Sequence, residues 1–131
     1  MIKRNIILLT ICLAIVGCGT KKENKESVMD KEIAVISTKF GDIKLEFFDE
    51  IAPKHVESFK LHAQNGYYDG TIFHRVIPGF MAQTGDPSGN GTGGSGKNLN
   101  AEFSSYEYKY GTVGMARSMN PDSADSQFFI C

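Results

Sequence analysis

The 131-residue chain has no tryptophan, only three cysteines and four prolines, and no large excess of either charge. Each shortage excludes something. Cys12, Cys18 and Cys131 are too few and too scattered for a disulfide framework or a cysteine-based metal site. Fourteen Lys and Arg against fifteen Asp and Glu give a net charge of −1, so no basic field points to nucleic acid and no acidic tail to a cationic partner. The longest apolar run, Ile6 to Val16, is well short of the roughly 20 residues that a membrane-spanning helix needs. What is present is 41% hydrophobic residues, 14 glycines, nine phenylalanines and five tyrosines, which suits one loop-rich, aromatic-cored domain rather than a disordered tract or a helical bundle.

The first 31 residues read as an address and a tether. Lys3 and Arg4, the apolar run and a small-residue end at Gly17-Cys18-Gly19 have the three-part layout of a secretory signal. Ile15-Val16-Gly17-Cys18 resembles the bacterial lipobox, in which the cysteine takes a diacylglycerol and becomes the new N-terminus. Residues 1–17 are therefore expected to be a signal peptide, and residues 18–31 a lipidated cysteine followed by a flexible linker rich in Lys and Glu. Export removes Lys3 and Arg4 and no acid, so the net charge falls by two to −3. The expected location is outside the cell membrane, anchored to it by lipid.

From residue 32 the pattern becomes that of strands around one helix. A β-rich run at 33–38 meets Gly41-Asp42 and resumes as Ile43-Lys44-Leu45-Glu46-Phe47, which predicts a hairpin turning at Gly41-Asp42 with Ile43, Leu45 and Phe47 on the buried face. Ala52-Pro53 opens a helix carrying Val56, Phe59, Lys60 and Ala63 at 3- and 4-residue spacing, and Asn65-Gly66 closes it. Strands are predicted at 71–76 and 80–84, joined at Ile77-Pro78-Gly79, then at 112–117 and 126–131. A glycine-rich loop fills 85–98 and an aromatic connection 103–110.

Two constellations invite chemistry and lack its context. Gly91-Thr92-Gly93-Gly94-Ser95-Gly96-Lys97 approaches the phosphate-binding loop, but Asn98 replaces the hydroxyl residue, and no buried strand precedes it and no helix follows. His55 and His62 lie seven apart on the helix and His74 on a strand, which is no metal spacing; they read as solvated side chains. The stretch Phe73-His74-Arg75-Val76-Ile77-Pro78-Gly79-Phe80-Met81-Ala82-Gln83-Thr84-Gly85-Asp86 differs in kind. A cation, an amide and large apolar groups alternate at strand period, with Met81 and Gln83 on one face. That arrangement suits an apolar concavity with a guanidinium and a carboxamide at its edge, shaped for a small hydrophobic ring on a polar backbone.

At these residues the chain resembles the cyclophilin family of peptidyl-prolyl cis-trans isomerases. The resemblance rests on FHRVIPGFMAQTGD at 73–86, NGTGGSG at 90–96, GMAR at 114–117, SQFFI at 126–130 and APKHVESF at 52–59, and it covers residues 32–131. It implies a mainly β fold, a closed eight-stranded antiparallel barrel with capping helices, and an outer groove that binds X-Pro segments. Position by position it implies Arg75 as the catalytic residue and Phe80, Met81 and Phe129 as the proline pocket. Gln83 and Gln127 would hold the peptide backbone, with Gly91, Ala116 and Arg117 along the rest of the groove and His74 secondary. No cofactor or metal is implied, and the expected partners are proline-containing polypeptides met by a monomer. The MAR form at 115–117 looks like that of bacterial members.

The segment from 32 leaves 100 residues for a domain that is longer in the family, so the barrel is expected to be incomplete at its C-terminus. Two readings follow: an isomerase assisting the folding of exported proteins, or a truncated, non-catalytic fragment that at most binds proline-containing segments, with unpaired strand edges favouring aggregation. The lipoprotein reading is checked by mass spectrometry of the mature N-terminus, which should begin at a diacylglycerol-modified Cys18; an unmodified Cys18 or a cut elsewhere contradicts it.

Overall fold

A computed structural model describes residues 31–131. The expected signal peptide, Cys18 and nearly all of the expected linker lie outside the described residues. Strands β1 (Ile33–Thr38) and β2 (Gly41–Glu46) pair antiparallel, from Ile33 opposite Glu46 to Thr38 opposite Gly41. Opposed residues share a face, so Ala34 with Leu45 and Ile36 with Ile43 form one apolar side, on which Ile36 and Leu45 are buried. The turn falls at Lys39-Phe40, two residues earlier than the Gly-Asp pair suggests. Thr38 Oγ1 donates to Gly41 O (2.8 Å) and accepts from Phe40 N (3.0 Å), and these local bonds close the loop before Gly41-Asp42.

Helix α1 (Pro53–Gln64) starts where Pro53 supplies a pre-set φ, but its N-cap residue, Ala52, has no side chain to accept the free amides. Glu102 takes that role from a distant loop. It accepts from Lys54 N (3.1 Å) and His55 N (3.0 Å), and His55 Nδ1 lies 2.6 Å from its carboxylate. At the other end Gly66, at φ 68°, lets its own N–H reach Ala63 O (3.2 Å) and that of Tyr67 reach His62 O (3.0 Å). The helix histidines are not solvated as their positions suggest. His55 is largely buried against Glu102, and His62 is half-buried, bonded through Nδ1 to Ser58 O (2.7 Å) and packed edge-on to Tyr67.

The remaining strands are β3 (Arg75–Ile77), β4 (Met81–Thr84), β5 (Val113–Met115) and β6 (Phe128–Ile130), all antiparallel in the order β3-β4-β6-β5. The expected strand at 71–76 shrinks to its last two residues plus Ile77. Thr71 bonds back to Tyr68 O, and Thr84 Oγ1 donates to Ile72 O (2.9 Å), so the stretch before Arg75 is held by hydroxyls and turn bonds instead of a ladder. Pro78 and Gly79 then form a tight turn in which Phe80 N donates to Ile77 O (3.0 Å), and this places Phe80 in the turn rather than in β4.

Two sheets, not one closed eight-stranded barrel, result among the described residues: the β1-β2 hairpin and the four-stranded sheet. No ladder joins them. They meet through side chains, with Ile36 and Leu45 packed with Phe59, Tyr68 and Phe128. The last three form an aromatic triangle with ring centroids 5.1–5.4 Å apart, linking helix, following turn and β6. Burial raises the Tyr68 phenol above its ordinary value, aided by Tyr67 and Asp125, and its hydroxyl donates to Ser126 O (3.0 Å). The hairpin and the four-stranded sheet also bound an open concavity of about 1380 Å³, with Ile36, Tyr68 and Phe128 of this cluster in its lining.

Phe59 touches both other members of the triangle and also Phe47 (5.7 Å between centroids). Phe59→Ala should cost about 3–5 kcal/mol in urea unfolding. Burial alone would raise the Glu102 carboxyl, but the bonds from the His55 and Lys54 amides and the His55 ring outweigh it and hold the group below its ordinary 4.5. A carboxylate so lowered contributes stability above its ordinary value, and loses it as pH falls through the lowered one. The stability gap between wild type and Glu102→Gln should therefore be full at neutral pH and close as pH drops below that range, as unfolding curves across pH would show; a constant gap contradicts the capping role.

Candidate functional site

Register assembles the site. Arg75 on β3 lies opposite Gln83 on β4, Gln83 opposite Phe129 on β6, and Phe129 opposite Gly114 on β5, so four strands contribute to one cross-strand row. Strand alternation puts Met81 beside that row, with Ala116 and Gln127 just beyond the strand ends, joined by Ala116 N to Gln127 O at 2.8 Å. The opposite face carries Val76, Ala82, Ile130 and Val113, then Thr84, Phe128 and Met115. The sequence-predicted residues Arg75, Met81, Gln83, Ala116, Gln127 and Phe129 thus fall on one side of one sheet. Phe80 projects from the turn at its edge, 63% exposed.

Arg75 is exposed and makes no ion pair among the described residues, so its donors are available to a ligand. Gln83 Nε2 donates to Gln127 Oε1 (2.8 Å), and Gln127 Nε2 donates to Gly91 O (3.0 Å) and Gly93 O (2.8 Å). Gln127 therefore has both amide hydrogens committed to the glycine loop, which is how Gly91 enters the site. Gln83 keeps one amide hydrogen and its carbonyl free in this network. Arg117 stands apart, past the end of β5, donating to Ser118 O (2.9 Å). It lines a separate cavity of about 230 Å³ beneath α1, with the 101–115 segment on its other side.

Several contributors carried no assignment from sequence, and His74 had only a secondary place in the groove and a reading as solvated. Gly114 is buried under two rings, where a Cβ would come within 2.8 Å of Phe129 and 2.6 Å of Tyr108. Tyr108 stacks on Phe129 at 5.6 Å, extending the aromatic wall from the loop before β5. His74, next to Arg75, has both ring nitrogens buried without a hydrogen-bond partner, beside Gly91. Asp86, fully buried after β4, accepts from Ser88 N (2.7 Å), Asn90 N (3.1 Å) and Gly91 N (2.6 Å). Burial by itself would raise its carboxyl; the amides of Ser88, Gly91, Gly93 and Asn90 outweigh that and hold it below the ordinary carboxylate range. The local Asp86-Pro87-Ser88-Gly89 order is the signal that could have found it, since an aspartate bonding the amide two residues on is an Asx-turn. Asp125, just before β6, accepts from Ser95 N (2.9 Å), Ser95 Oγ and Gly96 N (2.8 Å), and nothing in its local sequence announces that partner.

The arrangement is one face of a sheet with the exposed Arg75 cation at one side, an oriented amide in the middle and an apolar aromatic wall at the other. It offers donors and shape, suited to holding a polar backbone while an apolar ring is fixed beside it.

Residues 33–131 match the family described as cyclophilin type peptidyl-prolyl cis-trans isomerase/CLD. A probable peptidyl-prolyl cis-trans isomerase of Brucella abortus (strain 2308) is 53% identical over 117 residues, covering 79% of this chain and 60% of that protein. A peptidyl-prolyl cis-trans isomerase of Synechococcus elongatus is 47% identical over 98 residues, covering 75% of this chain and 67% of that one. Among solved structures, a cyclophilin type peptidyl-prolyl cis-trans isomerase of Cryptosporidium parvum, crystallised in the presence of the dipeptide Ala-Pro, superposes with a TM-score of 0.72 at 38% identity, over 76% of this chain and 66% of its own. The chain spans 60% of the length of the Brucella relative. With the family match running through both sheets and the helix between them, the chain belongs to the cyclophilin-type peptidyl-prolyl cis-trans isomerase family.

Proposed function

We propose that the protein catalyses cis-trans rotation about X-Pro bonds in polypeptides, with Arg75 as the catalytic residue. The observation that carries this reading is the cross-strand row, which sets the exposed Arg75 guanidinium beside a carboxamide and an aromatic ring. Amide resonance gives the bond a rotational barrier of about 18–20 kcal/mol. Twisting the C–N bond breaks that resonance and returns the lone pair to the prolyl nitrogen, which becomes pyramidal and a better acceptor. A donor from Arg75 aimed at that nitrogen binds the twisted state more tightly than either planar one, and only such a difference accelerates rotation. Gln83 holds the peptide backbone with its remaining N–H and carbonyl. Phe129, Met81 and Phe80 grip the proline ring so that the acyl side turns against a fixed partner. Ala116 borders the adjoining stretch of peptide, whereas Arg117 lies at the separate cavity beneath α1.

The clients we propose are exported proteins, since the signal-like residues 1–17 and the lipobox Cys18 would tether the domain outside the membrane where newly translocated chains fold. Slow prolyl isomerisation, taking tens to hundreds of seconds unassisted, is a rate limit such chains meet.

The test is isomerisation of an Ala-Pro-containing peptide by the wild-type chain and by Arg75→Ala. The variant should lose at least about tenfold in kcat/KM, equivalent to about 1.4 kcal/mol of transition-state stabilisation, with its circular dichroism unchanged. Equal turnover by both removes Arg75 from the mechanism. Peptide binding without turnover by the wild type leaves the protein a proline-segment binder.

A further inference from the structure

Asp86 is the buried carboxylate that the isomerisation chemistry does not use. Its two oxygens gather the amides of Ser88, Asn90 and Gly91, with that of Gly93 also directed at them, so four N–H groups of one loop converge on a single side chain. Gly93 can approach only because it has no side chain: a Cβ there would overlap the carboxylate. Asp125 does the same for the far half of the loop, at Ser95 and Gly96. A glycine-rich segment that would otherwise sample many conformations is thereby bracketed between an aspartate following β4 and one preceding β6.

The bracketed loop presents the carbonyls of Gly91 and Gly93 to Gln127 Nε2. That pair of acceptors fixes which way the Gln127 amide faces, because the flipped amide would set its oxygen against two carbonyl oxygens. Gln127 Oε1 must then point to Gln83, which has to answer with Nε2 (2.8 Å). The orientation of Gln83 in the groove is therefore dictated three hydrogen-bonded steps away from it. We propose that Asp86, with Asp125 as its counterpart, is a positioning residue: it holds the loop 88–96 so that Gln127 presents Gln83 to the peptide backbone in one orientation. The kinetic consequence rests on the isomerase reading; the orientational one does not.

Asparagine at 86 keeps the shape but offers one oxygen where two were used and turns N–H groups toward amide N–H groups. In the isotope-labelled full chain, Asp86→Asn should move the side-chain amide NMR signals of both Gln127 and Gln83. The same substitution in a Gln127→Ala background should leave Gln83 unmoved, since the link is cut. In turnover of an Ala-Pro peptide, Asp86→Asn should lower kcat/KM by about threefold or more, mainly through KM, because Gln83 grips planar and twisted substrate alike. It should cost less than about 1.5-fold further once Gln127 is alanine. If Asp86→Asn does not fold, Asp125→Asn loosens the same loop from its more exposed end and should move the same signals. Gln83 signals unchanged in a folded Asp86→Asn or Asp125→Asn protein overturn the proposal, as does an effect that persists undiminished without Gln127. A wild-type chain that turns over no prolyl peptide would defeat the isomerase reading, while the NMR comparison would still decide the relay.

Discussion

Phe128 and Phe129 are neighbours on β6 and face opposite ways, and most of what the domain can do follows from that alternation. Phe128 is 1% exposed, locked against Phe59 and Tyr68, while Phe129 stands in the cross-strand row with Gln83 and Arg75. A slip of one residue in β6 would exchange the two faces, putting an amide-bearing side into the core and the core ring into the groove. Burying Phe128 therefore fixes which way Phe129 and Gln127 point. The hydrophobic term that holds the helix to the sheet is thus the same one that sets the polar and aromatic groups of the groove in register. Ser126 strengthens the tie: it donates to Gly85 O (2.8 Å) and its carbonyl receives the Tyr68 hydroxyl, so the entry to β6 is pinned to the end of β4 and to the core at once.

Polar groups follow a second logic. In the described residues the carboxylates that matter most to the architecture, Glu102 and Asp86, work on backbone amides that no ladder satisfies, one at the start of α1 and one inside the glycine loop. Each carries a burial penalty that its amide bonds outweigh. Both join segments far apart or irregular, where ordinary secondary structure supplies no partners. The surface pairs Lys31 with Glu46 and Lys60 with Asp49 are exposed on at least one side and stabilise little by comparison.

What could be read from the sequence was what local chemistry decides. Pro53 and Asn65-Gly66 bound the helix as expected, and alternation placed Ile43 and Leu45 on the same side of the hairpin. The resemblance assigned residues to a peptide groove, and register sets six of them on one face of the sheet. Long-range partners were beyond reach. The Glu102 cap spans 48 residues and the Asp125 clamp spans 30, and neither leaves a spacing that a local pattern could reveal. The same distance explains the histidines: a helix-face histidine reads as solvated until the segment that covers it is known, and His55 is covered by Glu102. The turn at Lys39-Phe40 shows the local limit, since a threonine hydroxyl claimed the backbone bonds that the Gly-Asp pair was expected to organise.

In the mechanism we propose, the groups that act on the peptide are separate from the carboxylates that support them. The groups we propose to act on the peptide, Arg75, two glutamines and aromatic rings, offer donors and shape. Rotation about an amide transfers no proton, and such a site needs orientation above all. The Asp86 carboxylate sits one layer back, bonded to the loop whose Gly91 and Gly93 carbonyls accept from Gln127. Acid would then reach this face of the sheet through its supports: protonating Asp86 removes acceptors from four amides and frees the loop. Because that carboxyl is held below its ordinary range, the support persists to a lower pH than an unpaired aspartate would allow.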